Sequence, residues 1–172
     1  MRERVRRAPS HTGATFERHL EGTAAQLREW SQSPELVRAG LHHSLYGNEF
    51  GRESIVVDPA ELVREIGPEA EALVRLWTDV DRAALGQAAS DFAGGPVTLT
   101  LRGGGGRTVS ARQYLDLVHL LAANQLEMAA RTGSDCRRLE PLRPLLCAGA
   151  VAELDRRRLR GLRRLVRWLA RR

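Results

Sequence analysis

Apolar residues return every three or four positions through most of this chain, and that period commits it to packed helices. Phe16, Leu20, Ala24 and Leu27 form one stripe between Thr15 and Trp30. Ala70, Leu73, Val74, Trp77 and Val80 form another, and Tyr114, Leu117, Leu121, Asn124 and Met128 a third. Punctuation agrees with the period. Ser33-Pro34 supplies an N-cap and a first-turn proline for a helix predicted to run to about Tyr46 and stop at Gly47. Asp58-Pro59-Ala60-Glu61 opens a short helix that Gly67 closes, Pro68 opens the next, and Ser110-x-x-Gln113 reads as a capping box. Only Val97–Leu101 alternates; four glycines and Arg107-Thr108-Val109 follow, so one small hairpin is expected. The predicted class is all-α with one β-hairpin and a basic amphipathic C-terminal helix.

Charge divides the chain unevenly. All 27 basic residues are arginine, a bias that fits the GC-rich codons of a bacterium. Residues 151–172 carry nine arginines against Glu153 and Asp155, whereas residues 1–150 are close to neutral. The predicted organisation is an Arg-rich arm (1–10), a helical domain (11–150) and a basic helix (151–172). Cys136 and Cys147 are too few for a disulfide framework. Residues 1–7 lack the apolar core of a leader, and no run approaches the roughly 18 apolar residues of a membrane span, so a cytoplasmic protein is expected.

Polar residues interrupt three of the apolar stripes. His19 lies beside the first, and His43, followed by Ser44, shares a helix side with Leu36 and Gly40. Asn124 lies on the third stripe, with Glu127 one turn on. Burying such groups is costly unless they find partners, so they are expected to meet one another or a ligand. Gly40 costs helix stability and implies a close helix approach. His42 and His119 read as structural or solvated. Gly103–Gly106 lacks the spacing of a phosphate cradle and reads as a hairpin tip. As chemistry, the set suits proton transfer: His43 as general base, His19, Tyr46 and Glu49 beside it, and Ser44, Asn124, Glu127 and His11 holding substrate.

Leu41-His42-His43-Ser44-Leu45-Tyr46-Gly47 resembles the apolar-His-Asp-apolar-x-Gly segment of the HD-domain superfamily, with His43-Ser44 at the His-Asp pair. His19, within His19-Leu20-x-Gly22-Thr23, matches the family's first histidine, and Asn124, within Ala123-Asn124-x-Leu126-Glu127, its last aspartate. With Trp30 and Ile66-Gly67-x-x-Ala70-Glu71, the likeness covers roughly residues 11–131 and points to an uncharacterised bacterial group of HD-like proteins. It implies an HD-like helical bundle. The family's metal carboxylates are replaced by Ser44 and Asn124, so no cofactor is favoured. A divalent metal, if bound, would take His19, His43 and Glu49.

The expected function is a small-molecule enzyme, or the catalytic half of one, in bacterial specialised metabolism. Its reaction would be an elimination, cyclisation, isomerisation or hydrolysis carried by histidine acid–base chemistry. The alternatives are a non-catalytic accessory subunit of a heteromeric biosynthetic enzyme and, more weakly, a nucleotide-binding regulator. Leu154, Leu159, Leu162, Val166 and Leu169 stripe the basic helix. A protein partner or second copy is expected there through residues 152–172, a membrane surface is less favoured, and nucleic acid is disfavoured for want of a reading motif.

Overall fold

The computed structural model describes residues 16–47 and 58–169. The element order is α1 (Phe16–Glu29), α2 (Pro34–His42), α3 (Pro59–Ile66), α4 (Pro68–Asp79), α5 (Arg82–Gln87), β1 (Val97–Thr100), β2 (Gly106–Val109), α6 (Ala111–Thr132), a 3-10 segment (Arg137–Leu145) and α7 (Ala148–Leu169). The chain is all-α with one small antiparallel hairpin.

Local chemistry sets the boundaries. Ser33 Oγ accepts from the Leu36 N–H, and Asp58 Oδ1 from the Ala60 N–H at 3.0 Å. Gly67, at φ 87°, both closes α3 and precedes Pro68 of α4, a backbone state that a side chain would resist. The Ser110–Gln113 capping box is reciprocal, and Gly133 ends α6 in the left-handed conformation. In the hairpin Val97 pairs with Val109 and Thr100 with Gly106.

Three details depart from the sequence expectation. The second helix ends at His42, and residues 43–46 continue as turns. Residues 82–87, which carry no strong period, form α5, capped by Asp81. The last helix begins at Ala148 rather than near Val151, and Ala150 and Leu154 belong to the common core. The arm at 1–10 lies outside the described residues.

Helix α6 supplies the spine. Leu117, Leu120, Ala122, Ala123 and Leu126 are fully buried, and α1, α2 and α4 pack on it. At the α1–α2 crossing, a Cβ on Gly40 would stand 2.5 Å from Leu27 Cδ1 and 3.7 Å from the Ala24 Cα, which is the close approach expected of that glycine.

Candidate functional site

Helices α1 and α6 and the turn after α2 each send one polar side chain to a common point. His43 is 0% exposed and His19 half-buried. Their rings meet edge-on with centroids 5.1 Å apart. Asn124 lies between them. Its Nδ2 is 2.9 Å from His43 Nε2 and 3.2 Å from His19 Nε2. A primary amide nitrogen carries two hydrogens, so each imidazole accepts one.

The other ring nitrogens are fixed as firmly. The Nδ1–H of His43 donates to the Gly40 carbonyl at 2.7 Å. The Nδ1–H of His19 donates to Glu127 Oε2 in a short contact. Glu127 is in turn gripped by Arg131, with Nε to Oε1 at 2.6 Å and Nη2 to Oε2 at 3.1 Å. A directed chain therefore runs from Arg131 through Glu127, His19, Asn124 and His43 to the backbone of α2. In this chain both imidazoles carry hydrogen on Nδ1 and turn Nε2 toward one amide.

Electrostatics separates the two histidines. Burial, aided by the neighbouring His19, pushes His43 down to about 3, so it stays neutral at ordinary pH. Burial also pushes the Glu127 carboxyl up, but hydrogen bonds from His19 and Arg131 outweigh it and hold the group below the usual carboxylate range. His19 thus faces an ionised partner and His43 a neutral carbonyl.

Two supports complete the site. A Cβ on Gly22 would stand 2.7 Å from Glu127 Cγ, so the missing side chain gives Glu127 its path across α1 to His19. The Trp77 indole packs edge-on against His43 at 5.8 Å; its N–H is buried and has no acceptor among the described residues. Arg131 and Trp77 were not among the residues singled out from sequence. The spacing of four between Glu127 and Arg131 on a helix was the available signal for the first. Trp77 is indistinguishable in sequence from an ordinary core residue.

The other sequence candidates fall elsewhere. Tyr46 donates its hydroxyl to Glu71 at 2.7 Å, Glu71 also meets Arg75, and Arg75 lies over the Tyr46 ring. Burial and the Glu71 carboxylate push the Tyr46 phenol up, which keeps it protonated. Ser44 is half-buried, and its hydroxyl makes no hydrogen bond among the described residues. His119 is structural, as expected: its Nδ1–H donates to the Leu115 carbonyl and its Nε2 accepts from the Cys147 N–H. His42 donates to the Arg38 carbonyl. His11 and Glu49 lie outside the described residues.

As metal ligands, the described residues offer two imidazoles and a neutral amide, and no cluster of three His, Cys, Asp or Glu among them has metal-holding geometry. The hard ions implied by the HD resemblance take carboxylate oxygens. Here the amide N–H groups occupy the point where the Nε2 lone pairs converge. The described part of the donor set, which leaves out Glu49, does not fit such an ion.

Residues 1–82 are similar to a domain of unknown function (DUF6817). That stretch carries His19, Gly22, His43 and Trp77 but ends before Asn124, Glu127 and Arg131. No curated protein and no solved structure matches the chain.

Proposed function

We propose that this chain is a small-molecule enzyme, or the catalytic half of one, that moves protons with histidine in a degenerate HD-type pocket. The observation that carries the reading is the dyad of His19 with ionised Glu127, whose Nε2 meets that of His43 at a single amide. A carboxylate on Nδ1 orients an imidazole and stabilises the imidazolium that forms when Nε2 takes a proton. That favours His19 as the general base and acid. His43, held neutral by burial, serves as a fixed hydrogen-bond acceptor. A substrate O–H or acidic C–H that displaces the Asn124 amide would reach His19 Nε2, and the proton would return from the same nitrogen in an elimination or isomerisation. The meeting of His19, His43 and Asn124 supports kinship with HD proteins without the metal chemistry.

A second reading has its own support. Every nitrogen of the two imidazoles already has a partner, which is what a structural polar tie looks like. In that case the chain is an accessory subunit. Purified protein incubated with a bacterial metabolite extract and followed by mass spectrometry separates the two. Catalysis requires turnover of a small metabolite that falls about 100-fold or more in His19→Gln with folding retained. Full turnover by His19→Gln would discard the proton-transfer assignment, and no turnover by the wild-type chain in extracts of several bacteria would favour the accessory role.

A further inference from the structure

The last helix is two different objects joined end to end. Its first turns are core: Ala150 and Leu154 are buried, Gly149 fits against Trp30, and Asp155 is held by both Arg143 guanidinium nitrogens at 2.9 and 2.8 Å. Beyond Arg158, which still meets Glu140 at 3.6 Å, the residues whose burial is described are exposed. Leu159 is 56%, Val166 63% and Trp168 50% exposed, and these are the large apolar side chains exposed among the described residues. A Cβ on Gly161 would meet no atom within 4 Å.

The charge on this segment is as one-sided as its exposure. Residues 151–172 hold nine arginines, and their two acids are already engaged, Asp155 by Arg143 and Glu153 by Arg156 and Arg157. On a 100° helical wheel, Leu159 and Val166 fall with the sequence positions Leu162 and Leu169 in one arc of about 80°, Arg156, Arg160, Arg163 and Arg167 crowd the arc beside it, and Trp168 stands about half a turn from Leu159, at the border with Arg157 and Arg164. No described helix is long and apolar enough to cross a membrane.

We propose that the distal half of α7 docks on an anionic phospholipid surface, lying in the plane of the interface with Leu159 and Val166 at the acyl boundary, Trp168 at the level of the headgroups and the arginines on lipid phosphates. Such a surface offers an apolar layer beneath a sheet of negative charge, which answers both faces of the helix at once. Nucleic acid would neutralise the arginines and leave the apolar arc in water. A second copy would cover the arc but set two strongly cationic helices side by side with no acid left to offset them.

The full-length chain carries its own reporter. Trp30 and Trp77 are buried, so a vesicle-induced change in tryptophan emission belongs to Trp168. With phosphatidylglycerol vesicles the emission shifts to the blue and the protein floats with the lipid. With phosphatidylcholine vesicles neither occurs, and raising the salt from 0.1 M to 1 M releases the bound protein. The double variant Leu159→Ser, Val166→Ser alters only exposed positions, so its thermal melt stays that of the wild type while partitioning drops about tenfold or more. Trp168→Phe abolishes the spectral shift but not flotation. The proposal fails if phosphatidylglycerol vesicles leave the protein in solution, or if the double variant binds them as tightly as wild type. Sedimentation showing a dimer that the double variant breaks, without lipid binding, would hand the surface to a second copy.

Discussion

Asn124 is the residue on which the site turns. Among the described residues it is the only group bonded to both histidines, and it satisfies two imidazole acceptors with one nitrogen. Asn124→Leu keeps the volume roughly but leaves both acceptors unpaired. A loss of about 2–4 kcal/mol in urea unfolding is expected, larger than one hydrogen bond would give, because unpaired buried groups lose their hydration as well. His43 makes a different prediction. Its imidazole titrates near 6.5 when unfolded and near 3 when folded. Between those values the unfolded chain binds a proton that the folded one refuses, so stability falls as pH drops below about 6.5. The slope should be on the order of 1 kcal/mol per pH unit between pH 6 and 5. His119, also pushed down by burial, adds to it with the same sign. The share of His43 is therefore read as the difference from His43→Gln, whose stability should change less over that range; parallel curves would remove His43 from the account.

At the scale of elements, the site depends on glycines that let helices and side chains pass. Gly22 lies one turn after His19, and its missing Cβ is the space through which Glu127 runs. Gly22→Ala gains helix propensity, roughly 1 kcal/mol, yet must displace Glu127. The expected net cost is about 1–2 kcal/mol, with loss of the downfield His19 Nδ1 proton signal in NMR. An intact signal in a stabilised protein would show that Glu127 has another route. Much of this level was legible in sequence, because caps and periods are local. Ser33-Pro34, Asp58-Pro59, Gly67-Pro68 and Ser110-x-x-Gln113 mark ends that the structure places at those residues. The inward turn of His43 followed from its spacing to Leu36 and Gly40. What the sequence withheld is non-local. Nothing in the spacing separates Tyr46, bonded to Glu71, from His43, three residues earlier and bonded to Asn124. The grip of Arg131 on Glu127 was open to the four-residue rule, but its consequence for His19 exists only once α1 lies on α6.

For the molecule as a whole, the question is how the last helix is tied to the bundle that carries the site. His119, on α6, answers it with one ring: Nδ1–H holds its own helix at Leu115, and Nε2 takes the Cys147 N–H just before α7. Around it, Gly149 seats against Trp30, and Leu139, Leu142 and Leu154 complete the apolar contact. His119→Ala leaves the Cys147 N–H without its acceptor and a cavity beside it. A destabilisation of about 1–3 kcal/mol is expected from the hydrogen bond alone, with packing loss added to it. Its location is the sharper test. Amide exchange should accelerate between Ala148 and Leu154, where the helix is docked, and stay slow through α1 and the middle of α6. Residues beyond Gly161 should exchange at the same fast rate in both proteins, since a Cβ on that glycine would meet no atom of the described residues within 4 Å. If protection instead collapses together at Ala148–Leu154, His19 and Asn124, the docked turns of α7 and the histidine site form one cooperative unit, and the boundary drawn within the last helix would have to move toward its end.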